Sequence, residues 1–591
     1  MSVPNVNTLW GRAIVDELAA AGVDAAVLSP GSRSTPLTVA FADHSDIETF
    51  THLDERSAAF FALGRAKQTG HPTPLVCTSG TAVANYHPAV VEADQARVPM
   101  LLLTADRPPE LTDSGANQTI DQHDIYGDAT RHSRTLPEPE AADRKVRSLR
   151  TAVARAVATT TATHPGPVHL NVPFRKPLEP TVETDEVPDG WLEAHPLAAE
   201  GRDGPFVRTT SGRPTLSAAD RAAIIEAVEA ADRGLIVCGP ADRPTPDRDA
   251  LLGLATATGF PVLADPLSGV RFGEHVESAT VLGGYDAWAP ALRDTLPTPD
   301  VVLRFGASPT SKPTRKALAA ATLDAPDEPP RQFLIDPAGG WREAEFTATD
   351  LIVADPTAFA SALAGRVTGA DSAYADQLAN VEADYWGLVA DEERFFEGGL
   401  LHETTALAPD PSTLFVSNSM PVRDLDRFGA PRAADLTVLG NRGASGIDGI
   451  TSTALGADSA TDDPLVCVTG DVAYFHDTNG LLAVDRFDLN ATIVLVNNDG
   501  GGIFHLLPIE AHDTFEGYFR TPHGLDFAPS ADLHGLEFAR VGSREGFREA
   551  FTASVESEGT QVIEVTFDAA ESHAIRERLQ ERVSEELAVR S

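Results

Sequence analysis

Short apolar runs, each closed by a glycine- or hydroxyl-rich turn, recur along the chain and alternate with stretches whose apolar positions follow helical spacing. The runs are Leu75 to Thr78, Met100 to Thr104 and Val168 to Val172 in the first third. Leu235 to Cys238, Pro261 to Ala264, Val301 to Phe305 and Phe333 to Asp336 follow in the middle. Leu414 to Val416, Leu436 to Leu439, Val466 to Thr469 and Ile493 to Val496 lie in the last third. Uninterrupted apolar runs of this length fit strands covered on both faces, as in parallel sheets. Helical spacing covers Leu9 to Ala21, Ala58 to Ala66, Ala218 to Ala231 and a long acidic stretch around Ala375 to Ala408. The alternation predicts an α/β protein built from parallel sheets. From Leu178 to Pro214 the chain is rich in Pro, Gly and Glu and lacks periodicity, which reads as a linker. The expected segments are 1–178, a linker 179–214, a second α/β unit 215–370 and a third 371–591.

Charge changes this picture more than composition does. With 42% hydrophobic and 23% charged residues the chain is an ordinary globular protein. Yet 87 acidic residues face 46 basic ones, a net charge of −41, and only five of the basic residues are lysines. The acidic residues run along the whole chain rather than in a tail. Such a surface suits high salt, where self-repulsion is screened, so a halophilic source is expected. The charge argues against nucleic acid and against anionic membranes. No signal peptide pattern and no apolar run of membrane-span length is visible, so a cytoplasmic location is expected. Cys77, Cys238 and Cys467 each lie in a strand-like run and read as buried free thiols of a reducing compartment.

Candidate chemistry sits in the turns. Pro30-Gly31-Ser32-Arg33-Ser34-Thr35-Pro36 places an arginine beside hydroxyls at a helix start, where anions bind. His52-Leu53-Asp54-Glu55-Arg56-Ser57 puts acidic residues in a first helical turn, favourable to the helix dipole. Ser79-Gly80-Thr81-Ala82-Val83-Ala84-Asn85, Ala105-Asp106-Arg107-Pro108-Pro109-Glu110-Leu111 and Ser114-Gly115-Ala116-Asn117-Gln118 each follow a strand. A doubly wound sheet would gather them on one edge. Ser417-Asn418-Ser419-Met420-Pro421-Val422-Arg423 and Gly440-Asn441-Arg442-Gly443-Ala444-Ser445-Gly446-Ile447 follow strands of the last third, and their glycines let backbone approach a ligand. In His402-Glu403-Thr404-Thr405 a zinc-protease pattern fails, because Ala406 stands where the second His must be.

The segment Val466 to Leu507 is the most informative. Its first strand ends in Gly470-Asp471 and its second in Asn497-Asn498-Asp499-Gly500, with Asp471 and Asn498 27 residues apart. Either end alone is ordinary turn chemistry. A βαβ unit, however, brings both to one sheet edge. An Asp, an Asn amide and a glycine carbonyl are hard oxygen ligands of the kind Mg²⁺ accepts while it holds a phosphate. At this spacing the pair resembles the diphosphate- and metal-binding motif of thiamine diphosphate enzymes, with Val472 where a third glycine is usual.

Together with that motif, the first-third phrases Pro-Gly-Ser-Arg-Ser, Asp-Glu-Arg, Thr-Ser-Gly-Thr-Ala, Ala-Asp-Arg-Pro-Pro-Glu-Leu and Gly-Ala-Asn-Gln resemble one family. So do Asn-Arg-Gly-Ala-Ser-Gly-Ile-Asp-Gly and Gly-Gly-Ile-Phe-His-Leu-Leu-Pro in the last third. The family is 2-succinyl-5-enolpyruvyl-6-hydroxy-3-cyclohexene-1-carboxylate synthase, the thiamine diphosphate enzyme of menaquinone biosynthesis. The resemblance loosens at Asp121-Gln122-His123-Asp124, from which nothing is carried over.

The resemblance implies three doubly wound parallel-sheet domains of the thiamine diphosphate-dependent decarboxylase/carboligase type. They would be a pyrimidine-binding domain, a central domain without a nucleotide fingerprint, and a diphosphate-binding domain. It implies decarboxylation of 2-oxoglutarate and 1,4-addition of the succinyl unit to isochorismate. Glu55, supplied by the partner subunit, would hydrogen-bond N1′ of the aminopyrimidine. Asp471, Asn498 and Gly500 would hold Mg²⁺ or Mn²⁺. Thr81, Asn85, Met420, Ile447, Gly470, Val472, Ala473, Ile503 and Phe504 would line the cofactor. The two dicarboxylate substrates would be held by Ser32, Arg33, Arg107, Asn117, Gln118, Lys312, Ser419, Arg423, Arg442, Phe504 and Leu507. The family's usual basic residue after Lys312 is Pro313 here, which makes Arg315 a candidate substitute. A homodimer or tetramer with active sites at subunit interfaces is expected. The alternatives are another carboligase, such as an acetolactate synthase, and a catalytically dead protein of the same fold.

Overall fold

The computed structural model describes residues 3–183, 186–241, 243–293, 295–325, 327, 329–367 and 373–588. Three six-stranded sheets organise them, and every strand pair is parallel.

The first sheet contains β1 (Ala25–Leu28), β2 (Glu48–Thr51), β3 (Pro74–Cys77), β4 (Met100–Asp106), β5 (His132–Thr135) and β6 (Pro167–Pro173), in the order β2-β1-β3-β4-β6-β5. β1 and β3 are buried along their whole length, which is why they read as unbroken apolar runs. Trp10, Phe41, Leu101, Leu103, Val153 and Phe174 lie in the core on one face of this sheet.

The second sheet holds β7 (Gly234–Cys238), β8 (Val262–Ala264), β9 (Val281–Leu282), β10 (Val301–Phe305), β11 (Arg331–Ile335) and β12 (Asp350–Ile352). Its order β12-β11-β10-β7-β8-β9 is the classical dinucleotide-fold order, read from either edge. The third sheet holds β13 (Ser412–Val416), β14 (Leu436–Leu439), β15 (Leu465–Gly470), β16 (Ala491–Asn497), β17 (Glu537–Val541) and β18 (Gln561–Thr566). Its order, β14-β13-β15-β16-β18-β17, repeats that of the first sheet strand for strand. In both, the chain winds outward from the first strand and then returns to its other side. That reversal leaves a crevice at the strand C-termini, where ligands of such folds bind.

By compactness the chain forms two units. The first comprises Met1–Ser211, Asn441–Asp462 and His476–Leu489; the second comprises Gly212–Gly440, Asp463–Phe475 and Asn490–Ser591. The first unit is therefore completed by chain from the last third. Its helix Glu55–Thr69 packs on the helix Ile450–Asp458 through glycines on both sides. A Cβ on Gly64 would lie 1.9 Å from the Thr453 carbonyl oxygen, and one on Gly456 2.0 Å from that of Phe61. Only hydrogen fits at either position.

Two sequence expectations need correction. The stretch 179–214 is not a featureless tether: Trp191 is buried in the first core, Arg150 donates to the carbonyls of Ala198 and Ala199, and the Phe206 N–H donates to Glu17. The long acidic helix is two helices, Ala373–Ala390 and Glu397–Leu407. The first of these packs with Tyr374, Leu378, Val381 and Tyr385 against Leu235, Val237 and Leu318 of the second sheet's layer. The boundary expected near residue 371 falls outside the described residues. All three cysteines are buried thiols.

Candidate active site

In the first unit, the turns after β1, β3 and β4 are stitched together. Gln118, held at φ 55°, donates from Nε2 to the Ser79 carbonyl, and Ser79 Oγ donates back to the Gln118 carbonyl, at 3.0 and 2.9 Å. The Gly80 N–H donates 3.0 Å to Gln122 Oε1, so a residue of the run set aside in the sequence supports this turn. Arg33 is buried, with Nη1 donating 2.7 Å to the Phe174 carbonyl and its N–H to Thr78. Arg107 donates from Nη2 to the Asn117 carbonyl at 2.8 Å. Ser32, Thr81, Asn85 and Asn117 border the same edge and are exposed.

The electrostatics here favour an anion. Burial pulls the Arg33 guanidinium below its ordinary range, the nearby Arg107 adds to the fall, and Asp106 opposes it. Asp106 is itself pushed up by burial, and Asn171 and the Arg107 N–H counter that. Asp106 thus feels the Arg33 guanidinium and takes the Arg107 backbone N–H, and the Nε of each arginine is buried without a hydrogen-bond partner among the described residues.

Glu55 is the first residue of the helix Glu55–Thr69 and is half-buried. Its neighbours are all tied down. Asp54 caps the helix through the N–H groups of Arg56 and Ser57 and accepts 2.9 Å from Asn479. Arg56 donates 2.7 Å to the His476 carbonyl. Ser57 points its hydroxyl at Asp477, which is fully buried and also takes the Ser452 N–H at 2.6 Å and the Ser452 hydroxyl at 3.0 Å.

Arg442 and Ile447 belong to this unit too and are half-buried. The glycine run between them does not lie open for a ligand. The N–H groups of Gly443, Ala444 and Ser445 all converge on the buried carboxylate of Glu92, at 2.8, 2.7 and 3.2 Å. That run is a structural cradle for an internal anion, and the sequence expectation of backbone facing a ligand is corrected there.

In the second unit, the ends of β15 and β16 lie side by side, with Gly470 paired to Val496. Asp471 is buried; its Oδ2 accepts the N–H groups of Asn498 and Gly500 at 3.1 and 3.0 Å, and its Oδ1 accepts that of Val472 at 2.7 Å. Burial raises this carboxyl above its usual range, against those N–H groups and His523. His523 Nε2 lies 3.2 Å from Asp471 Oδ2, a position a cation would contest. Asn498 donates from Nδ2 to Glu397 at 3.0 Å, while its Oδ1 is buried and has no hydrogen-bond partner among the described residues. Gly500 holds φ 136°, and a Cβ there would lie 2.1 Å from the Arg520 carbonyl oxygen. Neither His523 nor Glu397 stands in any motif that flags it in the sequence.

These oxygens fit a hard divalent cation. The donors are a buried carboxylate, an amide oxygen left unpaired and a glycine carbonyl, the set that Mg²⁺ accepts beside a phosphate. Beyond Gly470 there is open space where a Cβ would stand. Val472 and Ala473 follow on the short helix Asp471–His476. Ser419, at φ 68°, starts the helix Met420–Phe428; Met420 is buried, and Arg423 donates back to the Ser419 carbonyl. Ile503 and Phe504 are half-buried, Phe504 packs edge-on against Phe519, and Leu507 is exposed.

Lys312 is exposed at the start of the helix Lys312–Leu323, behind its N-cap Ser311. Arg315, the candidate substitute for the missing basic residue at Pro313, faces Glu345 at 3.6 Å. Among the described residues no group of three or more His, Cys, Asp or Glu gathers for a metal. His402 instead lies against the Phe428 carbonyl.

The expected residues therefore fall into two sets on different units: Ser32, Arg33, Glu55, Thr81, Asn85, Arg107, Asn117, Gln118, Arg442 and Ile447 on the first, the remainder on the second.

Comparison with known proteins finds family matches in both the first and the last third of the chain. Residues 10–125 match the thiamine pyrophosphate enzyme N-terminal binding domain, and residues 431–565 match the C-terminal one. A solved thiamine diphosphate-dependent 4-hydroxybenzoylformate decarboxylase from Rhodococcus jostii RHA1 shares the fold. Its TM-score is 0.70 at 18% identity, over 95% of this chain and 99% of that one. Full-length relatives named 2-succinyl-5-enolpyruvyl-6-hydroxy-3-cyclohexene-1-carboxylate synthase are far more similar. The chain is 66% identical to that of Natronomonas pharaonis (99% of this chain, 100% of the relative). It is 62% identical to that of Haloarcula marismortui (100% of each) and 46% identical to that of Roseiflexus castenholzii (96% and 97%). The chain belongs to the 2-succinyl-5-enolpyruvyl-6-hydroxy-3-cyclohexene-1-carboxylate synthase family of thiamine diphosphate enzymes.

Proposed function

We propose that the residues assembled above bind thiamine diphosphate with a divalent cation, and that they join the succinyl unit of 2-oxoglutarate to isochorismate with loss of CO₂. The observation that carries the metal half of this reading is Asn498 Oδ1, buried and without a hydrogen-bond partner among the described residues, on a residue whose backbone N–H donates to Asp471. Bound thiamine diphosphate would supply the nucleophilic carbon and the electron sink for decarboxylation. Asp471, Asn498 and the Gly500 carbonyl would hold Mg²⁺ or Mn²⁺ as a template and charge neutraliser. Gly470, Val472, Ala473, Met420, Ile447, Thr81, Asn85, Ile503 and Phe504 would shape the cofactor's surroundings.

Glu55 would hold a proton at N1′ of the aminopyrimidine. In the family this carboxylate serves the cofactor of a partner subunit, so we assign a homodimer or tetramer. Sedimentation of the holoenzyme in high salt checks this: a monomer that is fully active rejects it.

Both substrates carry two carboxylates, and a chain of net charge −41 must gather cations to hold them. Arg33 and Arg107, whose side chains lie near each other, do so at the first sheet's edge, and Arg423 and Arg442 add planar donor forks suited to bidentate binding. Ser32, Asn117, Gln118, Ser419, Lys312 and Leu507 complete the set. An acetolactate synthase would not need four arginines at strand ends.

The test is CO₂ release from 2-oxoglutarate with thiamine diphosphate and Mg²⁺ in high salt. Release that requires isochorismate supports this reading, release from pyruvate alone supports the other carboligase, and no cofactor binding supports a dead fold. Replacing Arg33 or Arg442 by Ala is expected to cost about 2–4 kcal/mol in transition-state binding, as for a truncated buried charge contact. Near-normal kcat/KM in both variants rejects the substrate assignment.

A further inference from the structure

An asparagine serves as a metal ligand only when its amide is turned with oxygen, not nitrogen, toward the ion. The two ends of an amide are alike in size, so hydrogen bonding has to choose between them. Around Asn498 the choice is made by Glu397. This residue opens the helix Glu397–Leu407, is 2% exposed, and accepts the Asn498 NH₂ on Oε1 at 3.0 Å. A carboxylate offers no donor, so the reverse orientation would set the Asn498 oxygen against an anion.

Glu397 is itself fixed from behind. Its Oε2 accepts from Arg576 Nη2 at 2.9 Å, and Arg576 also grips Asp424 through Nε and Nη2 at 2.8 and 2.6 Å. All four residues are buried. Arg576 stands on the helix Ala569–Ala588, the last in the chain, so the order runs from that helix through Glu397 to the Asn498 amide.

We infer that Glu397 is a positioning residue that locks the Asn498 amide oxygen toward the cation, with the Arg576–Asp424 pair holding Glu397 in place. The inference rests on the reading of Asp471, Asn498 and Gly500 as the metal site. Orienting partners behind a ligand are commonly worth 10–100-fold in metal affinity.

The test exchanges donor and acceptor across the contact, using Mn²⁺ titrated into the full-length protein with thiamine diphosphate in high salt and read by electron paramagnetic resonance. In Glu397→Gln the donor-only Arg576 draws the new amide oxygen to itself. The Gln NH₂ then faces the Asn498 NH₂, and the Asn498 amide turns. Mn²⁺ affinity is expected to fall at least ~10-fold, with the protein still folded by circular dichroism. Asn498→Asp alone sets two carboxylates face to face and also weakens binding. Combined, Glu397→Gln and Asn498→Asp restore a donor–acceptor pair, and affinity is expected to return to within about threefold of the unmodified protein.

Asp471→Ala serves as the reference. If it leaves Mn²⁺ binding unchanged, the metal-site reading itself is wrong. If it abolishes binding while Glu397→Gln changes nothing, or while the double variant stays as weak as the single ones, Glu397 only props the fold and the inference is overturned.

Discussion

Asp477 gives the most quantitative prediction, because its carboxyl is fully buried with hydroxyl and amide partners and no salt bridge to it is seen among the described residues. Burial pushes it up from an ordinary 3.8 to about 6, the Ser452 contacts and Arg56 opposing and Asp54 adding to the rise. The folded state therefore holds this proton more tightly than the unfolded chain does. Its contribution to stability is full below about pH 4 and is lost as pH rises through 6. A shift of that size amounts to about 3 kcal/mol of destabilisation by pH 8, at 1.36 kcal/mol per pH unit, and about half of it is already present at pH 5. Asp477→Asn keeps an acceptor for the Ser452 N–H and adds a donor for the two serine hydroxyls, while removing the titration. The variant is expected to gain stability over the unmodified protein by about 1–2 kcal/mol more at pH 8 than at pH 5. Urea unfolding in concentrated KCl at the two pH values measures this. Infrared difference spectra between the two proteins give a direct check, since the protonated carboxyl band of Asp477 should disappear with a midpoint near pH 6. A stability difference that is the same at pH 5 and pH 8, with no such band at pH 5, refutes the reasoning.

Three further predictions follow from packing and charge. Gly64→Ala places a methyl 1.9 Å from the Thr453 carbonyl oxygen and must push two helices apart, with an expected loss of about 1–3 kcal/mol visible as a lowered Tm. Arg271 is wholly buried and donates to Asp426, Tyr285 and four backbone carbonyls. Arg271→Met strands the Asp426 carboxylate and is expected to cost about 3–5 kcal/mol, whereas replacing both partners by apolar residues should recover most of the loss. Dilution from molar KCl to ~10 mM stretches the screening length from about 3 to about 30 Å, so the far-ultraviolet circular dichroism signal is expected to fall as like charges meet unscreened. A chain that keeps its signal in low salt contradicts the halophilic reading of its surface.

Most central strands of the three sheets were legible because burial on both faces leaves little room for polar residues; β18, central and buried, was not, because Gln561 and Glu564 break its apolar run. The strands that went unread are nearly all at sheet edges. β2 (Glu-Thr-Phe-Thr) and β5 (His-Ser-Arg-Thr) alternate or are polar, since one flank faces solvent or a loop. β9 and β12 are only two and three residues long. The metal loop was legible because its ligands follow two strands at a fixed spacing. Glu397, 101 residues before Asn498, was not, because a lone glutamate at a helix start has no local signature and gains its meaning from what the fold sets beside it. Glu92 misled in the opposite sense. A glycine-rich run can cradle a ligand or an internal carboxylate, and the sequence of the run is the same in both cases.

The discontinuous first unit also has a schedule. When the ribosome has made residues 1–211, the Gly64 face of its helix lacks the helix Ile450–Asp458, and the Glu92 carboxylate lacks the three N–H groups that will hold it. Those parts emerge 230 to 278 residues later, a wait of roughly 10–60 seconds at ordinary elongation rates. For that interval the nascent chain carries a bare apolar helix face and an acid with Lys67 beside it but without its three N–H donors. Its earliest third cannot finish folding before its last third begins, so synthesis order and folding order differ. Slowing translation in the last third should therefore lengthen the protease-sensitive life of the first.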